Sequence, residues 1–431
     1  MSQEPTAIDP AKALSTAVRA NSATRVRDVL AQYPELHPRL DDPLPDAAFG
    51  GTALLGAVGH GNREMIDVLL LAGANINARS HWWAGSFGVL DTDGELASFL
   101  MERGAIVDAH AAARLGMIDR LSELVAANPD VVHARGGDGQ TPLHFAASVA
   151  IAEYLLDHGA DIDARDIDHE STPAQWMVRD RQAIVRYLVG RGCRTDILMA
   201  AAIGDVALVR RHLDADPSCI RMSVSEEFFP KQDPRSGGCI YIWTIGANKT
   251  AHLIAREGGH DEVFARLMER TPAGLALSIA CEIGDDPMIK VLLTERPDLA
   301  RTLTDSDRRR LAVAAQDNNI AVVRRMLAAG WPVDAGGQHG GTPLHWAAWH
   351  GNTEMVRELL DHHAPLEIAD DVFKLTPLGW AIHGSLHGWH CKTGDYGGTV
   401  ETLLRAGANA PALTEDLDAS DAVRDALRRR A

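Results

Sequence analysis

Short apolar stripes recur along this chain in pairs. In the stretch 340-367, GGTPLHWAAWHGNTEMVRELLDHHAPLE, Leu344, Ala347 and Ala348 lie at helical spacing, a polar HGN follows, and Met355, Val356, Leu359 and Leu360 make a second stripe. The pattern predicts two short antiparallel helices joined by a tight turn. Thr342 stands where an N-cap hydroxyl satisfies exposed helix amides, and Pro343 stands at the first helical position, where a missing N–H costs nothing. Thr141 and Pro142 repeat that start signal. Gly61 and Gly351 fall where the chain reverses between helices, and Gly73, Gly159 and Gly407 fall where an outer helix ends in a conformation suited to positive φ.

The paired stripes are one unit copied along the chain. GQTPLHFAASVAIAEYLLDHGADIDAR at 139-165 and GTALLGAVGHGNREMIDVLLLAGANINAR at 51-79 echo 340-367, and degenerate copies at 109-135, 197-222, 275-301 and 310-335 keep the spacing. One helix pair cannot hide its Leu/Ala/Val face, but stacked neighbours bury a continuous strip. These segments resemble the ankyrin repeat. The resemblance covers nearly the whole chain and implies an all-α fold, an ankyrin-repeat solenoid of about eleven helix-turn-helix repeats with short β-turn fingers. It divides the chain into an N-terminal capping repeat at 1-45, repeats at 46-222, an insertion at 223-249, repeats at 250-410 with a second insertion at 383-398, and a C-terminal cap at 411-431.

In that family the turn tips and the ends of the inner helices line a concave groove, and His144 and His345 of the TPLH motif bond between neighbouring turns. The repeat phase therefore assigns candidate binding residues as three separate patches along the stack. The amino-terminal patch has His60 and the turn residues His81, Trp82 and Trp83, in a stretch that lacks TPLH. The central patch has Asp168 and His169 on a turn, Arg179 and Asp180 on an inner helix, and Tyr241 and Trp243 from the first insertion. The carboxy-terminal patch has His339, Trp349, His350, His383, His387 and His390. Exposed aromatic clusters mark contact sites, whereas Trp176, Trp331 and Trp380 read as packing.

The two insertions break the period. The first carries a short β-like run from Cys239 to Ile245. In the second, Thr376 to Val400 spans 24 positions against 14 from Thr342 to Val356. A helix there would put His383, His387 and His390 on one face, a workable ligand set, but Gly384 and Gly388 argue for a loop and a hydrogen-bonded polar cluster. No metal and no cofactor is expected.

Composition narrows the function classes. A net charge of −17 leaves no source for the counterion release that drives nucleic-acid binding. No run reaches the roughly 20 apolar residues of a membrane span, and the acidic, proline-containing start lacks the form of a signal peptide. Five scattered cysteines without a CxxC pair read as reduced thiols in a cytoplasmic protein. No nucleophile elbow, Walker A, HExxH or kinase signature is present. The leading expectation is recognition of a protein partner through the groove. The alternative is binding of a small molecule or carbohydrate, with or without catalysis, in a Trp/His-lined pocket closed by both insertions.

Overall fold

The computed structural model describes residues 9-91, 94-414 and 416-429. Residues 1-8 of the expected amino-terminal cap, and 415, 430 and 431 of the carboxy-terminal one, lie outside the described residues. The chain divides into two compact units, Met1–Val263 and Phe264–Ala431. Each is built from short helices, and among the described residues the only β pairing is an isolated bridge between Ser223 and Thr250.

In the carboxy-terminal unit the helix pairs are Ala273–Ile283 with Asp286–Glu295, Arg310–Gln316 with Ile320–Ala328, Pro343–Trp349 with Thr353–Asp361, and Pro377–His387 with Tyr396–Ala406, followed by Asp421–Arg428. Their apolar stripes merge into one strip running from Leu277 through Leu344, Val356 and Leu378 to Leu427. The start signal works as its chemistry requires. At Thr342 the backbone N–H donates to His345 Nδ1 at 3.1 Å, which leaves the His345 Nε2–H to donate to the Leu375 carbonyl of the next turn at 3.1 Å. His144 does the same between Thr141 and Ser171. Burial pushes His144 down to about 3, so this link between repeats is a neutral one.

In the amino-terminal unit two repeats depart from the pattern. After Thr141 the inner helix is a single 3-10 turn, Pro142–Phe145, because Ser148 caps the outer helix Val149–Asp157 directly and no HGN turn separates them. In the other, residues 80-91 replace an inner helix by a loop closed on itself. The Ser80 amide donates to the Phe87 carbonyl at 2.8 Å, and Arg79 holds the Ser86 carbonyl at 2.7 Å and Asp91 at 2.9 Å.

Both insertions are ordered, and each corrects an expectation. Cys239 to Ile245 is a turn running into one wide helical turn, Ile242–Gly246, and holds no strand. The second insertion lengthens a helix instead of breaking it, since Pro377–His387 runs straight through Gly384. Glycine is there for contact: a Cβ at 384 would sit 3.0 Å from the Trp349 carbonyl oxygen and 3.2 Å from the Trp349 ring. The close approach of two inner helices, and not a loop, accounts for the residue.

Candidate functional site

The carboxy-terminal unit holds an open cleft of about 430 Å³ lined by His339, Trp346, Trp349, Phe373, Leu375, Trp380, His383 and Trp389. Its floor is set by packing. Trp346 and Trp380 are 3% and 5% exposed and meet edge to face at 5.0 Å, and Trp349 meets Trp380 at 6.0 Å. Trp389, from the inserted loop, lies parallel to Trp346 at 6.0 Å and perpendicular to Trp349 at 6.3 Å. His383 stacks on Trp349, and His339 meets Phe373 across the rim.

One buried carboxylate fixes this geometry. Asp370 accepts the Phe373, Val372 and Leu375 amides at 2.6, 2.9 and 2.9 Å and the Trp380 indole N–H at 3.0 Å. Burial acts to raise its carboxyl, but the four donated N–H bonds outweigh it and hold Asp370 at about 2. Among the described residues, the buried indole N–H groups of Trp346 and Trp349 find no hydrogen-bond partner. Unsatisfied donors of this kind cost stability and gather where packing serves a site.

The histidines divide. His383 and His387 stack at 4.5 Å on the lengthened helix, and His387 Nε2–H donates to Asp418 at 2.7 Å. His390 does not join them; its ring lies 5.1 Å from His350. The three histidines therefore do not converge, because the chain leaves the helix at Gly388. His350 is not a groove residue either. It is 3% exposed, and its Nε2–H donates to the Gln316 carbonyl of the preceding repeat at 2.9 Å, so it belongs to the frame.

In the amino-terminal unit the patches expected to be separate are joined. Phe49 meets Trp82 edge to face at 5.1 Å, and the Trp82 indole donates to Asp138 at 3.1 Å. Carboxylate oxygens of Asp138 and Asp168 and a ring nitrogen of His169 lie within 4.8 Å of one another. The 223-249 insertion closes over these tips: the Gly237 amide donates to Asp168, His169 Nδ1–H donates to the Gly238 carbonyl, and Glu170 accepts the Gln232 amide. The Arg235 guanidinium sits 4.2 Å over the Trp83 ring. The tips bearing Trp82 and Asp138, on either side of the 109-135 repeat, thus touch through a long side chain, and the insertion spans them. Burial, the largest effect, pushes the Asp138 carboxyl up to about 6 against the pull of His169.

The remaining candidates scatter. Tyr241 is fully buried, its hydroxyl donating to Asp196 at 3.0 Å, and is a core residue. His60, His81 and Asp180 are exposed. Arg179 and the 66% exposed Trp243 border a shallow polar cleft. Beneath the insertion a further polar cleft of about 390 Å³ is lined by Arg165, His169, Arg194 and Lys231 among others. Each insertion lines a cleft within its own unit.

Family models for ankyrin repeats match residues 109-199 and 311-407 as three-copy arrays and 49-81 as a single repeat. The chain belongs to the ankyrin-repeat family. Among curated relatives, the E3 ubiquitin-protein ligase XB3 of Oryza sativa subsp. japonica is 38% identical over 98 residues, 22% of this chain and 22% of its own. The ankyrin repeat domain-containing protein SAT10 of Stachybotrys chartarum is 24% identical over 397 residues, 80% of this chain and 20% of its own. The E3 ubiquitin-protein ligase KEG of Arabidopsis thaliana is 22% identical over 288 residues, 56% of this chain and 18% of its own. This chain thus spans about a fifth of the length of these relatives.

Ankyrin repeats generally mediate protein-protein interaction. Among the described residues no helix is long and apolar enough to cross a membrane. Two exposed residues of the ankyrin cleft, Trp389 and Phe373, are not among the candidates the sequence assigns. Trp389 lies in the insertion, where the phase is lost, and its only signal is a tryptophan between two histidines. Phe373 stands three residues before Thr376, the same turn-tip place that His169 and His339 hold before Thr172 and Thr342, and that register marks it as a tip residue.

Proposed function

We propose that this ankyrin chain is a recognition module whose carboxy-terminal unit seats an apolar or aromatic side chain of a protein segment in the indole-lined cleft. The observation that carries the reading is the uncovered apolar rim. Trp389, Phe373 and Val372 are 63%, 58% and 57% exposed beside a packed aromatic floor. Pockets of this build, a desolvated centre with an aromatic border, hold the anchors of protein interfaces. The chain's charge of −17 favours neutral or basic flanks on the partner segment. The five free cysteines agree with a reducing compartment.

A second reading rests on volume. About 430 Å³ also suits a small apolar ligand, and in that case the inserted loop bearing Trp389 serves as a side wall. One experiment separates the two. Peptides selected from a displayed random library on the full chain are measured against Trp389→Ala and, as a control at the other exposed tryptophan, Trp243→Ala. Selected peptides with aromatic anchors, weakened at least ten-fold by Trp389→Ala and unaffected by Trp243→Ala, support the protein-segment reading. Failure to select any peptide, with a thermal shift from aromatic small molecules that Trp389→Ala removes, supports the second. Peptides insensitive to Trp389→Ala contradict both.

A further inference from the structure

The joined turn tips of the amino-terminal unit hold a donor set that recognition by the indole cleft does not use. His169 Nδ1 lies 2.9 Å from the Gly238 carbonyl oxygen. A carbonyl only accepts, so Nδ1 carries the hydrogen, and Nε2 is the free ring nitrogen. That nitrogen faces Asp168 Oδ2 at 3.6 Å. The separation is too long for a hydrogen bond, and it is close to the roughly 3.4 Å between two ligand atoms held about 2.1 Å from one tetrahedral ion.

Each of the three groups is oriented from outside by one hydrogen bond. Gly238 holds His169, the Gly237 amide holds Asp168 Oδ1 at 3.1 Å, and the Trp82 indole holds Asp138 Oδ1 at 3.1 Å. Outer partners of this kind, a carbonyl on the imidazole above all, are what fix metal ligands in place. Asp168 is 6% exposed, and among the described residues its Oδ2 receives no hydrogen bond. Asp168 Oδ2 faces the His169 ring nitrogen, and the Asp138 carboxylate lies within 4.8 Å of both, so a cation held among the three would offset the proximity of two carboxylates. Arg235, which the insertion brings to these tips, pairs with Asp233 and lies over the Trp83 ring.

We propose that Asp138, Asp168 and His169 Nε2 bind one divalent transition-metal ion of the zinc class. Two carboxylate oxygens and one imidazole nitrogen suit Zn²⁺ or Mn²⁺ better than Ca²⁺ or Mg²⁺, which take oxygen throughout. Three protein ligands leave a coordination position for water or for a donor from a partner. Gly237 is part of the device: a Cβ there would lie 2.9 Å from the His169 ring and 3.5 Å from Asp168 Oδ2, so only glycine lets the insertion close on the site.

The test uses the full chain, stripped with EDTA and titrated by calorimetry with Zn²⁺ and separately with Mn²⁺. One equivalent should bind. Asp168→Asn and Asp138→Asn, which keep oxygen acceptors for the Gly237 amide and the Trp82 indole, should each weaken it at least ten-fold. Asp418→Asn, which breaks the exposed His383, His387 and Asp418 group, should leave the affinity unchanged. Bound Mn²⁺ should show nitrogen hyperfine coupling that His169→Gln removes. No uptake by the stripped wild type, or uptake that Asp418→Asn abolishes while Asp138→Asn and Asp168→Asn retain it, overturns the proposal. Circular dichroism checks each variant's fold, and if Asp168→Asn misfolds, Asp138→Asn decides.

Discussion

The turn before Thr172 and the turn before Thr376 are built on the same frame and present opposite chemistry. In both, an aspartate six residues ahead of the threonine turns its carboxylate onto the backbone: Asp166 accepts the Ser171 and His169 amides, and Asp370 accepts the Leu375, Phe373 and Val372 amides. In both, a tryptophan four residues after the threonine meets the tip residue edge-on, His169 with Trp176 at 5.2 Å and Phe373 with Trp380 at 6.4 Å. At the first tip an imidazole among carboxylates lies under the 223-249 insertion. At the second a phenyl ring stands uncovered beside four indoles. One substitution at the tip and the placement of one insertion are what separate a polar, closed site from an apolar, open one.

The largest effect tests the shared frame. Asp370→Ala leaves three backbone amides and an indole N–H without their acceptor and should cost about 3 kcal/mol or more in urea unfolding. Asp166→Ala, with two amides orphaned, should cost about 2 kcal/mol. Equal losses, or the reverse order, would mean that the extra donors at Asp370 contribute nothing.

The two regions should also respond to pH in opposite directions. Asp370 is held at about 2, below its ordinary value, so its contribution is present above the unfolded pKa and lost as pH falls towards 2. Asp138 is raised to about 6, so its contribution is present in acid and lost as pH rises through 6. In metal-free buffer the wild type should lose up to about 3 kcal/mol between pH 4 and 7 through this group, and Asp138→Asn should not. A parallel pH profile for wild type and variant would remove Asp138 from the account.

Smaller effects concern glycines inside helices. Gly384→Ala should destabilise by about 1 kcal/mol, because crowding against Trp349 outweighs the gain in helix propensity. Gly190→Ala, where an added Cβ meets nothing within 4 Å, should stabilise by about 0.5 kcal/mol. A thermal melt that ranks the two the other way contradicts the close-packing explanation of the second insertion. Smallest in stability is Trp389→Ala, under about 0.5 kcal/mol for so exposed a ring, although binding should fall steeply.

Repeat phase carried the frame. Thr342, His144, His345 and the positive-φ glycines Gly73, Gly159 and Gly407 stand where cap, brace and turn chemistry require them. It carried the sites less well, because side-chain reach and insertions are not periodic. His350 occupies a groove position in register, yet the helix end is packed over by Trp389 and His390, so the ring turns to Gln316. Tyr241 sits in an insertion, yet it packs against Phe229 and points its hydroxyl inward to Asp196. The joining of Trp82, Asp138 and His169 depends on indole length and on two adjacent glycines at 237 and 238, which no spacing rule within one repeat contains.

We propose that the uncovered aromatic tip of the carboxy-terminal unit makes the contact with a partner segment. Hydroxyl-radical footprinting of the full chain, with and without a selected peptide, reads the exposed rings directly. Strong protection of Trp389 and Phe373 is expected, with Trp243 oxidised at the same rate in both samples. Protection of Trp243 while Trp389 and Phe373 stay reactive would place recognition elsewhere and contradict it.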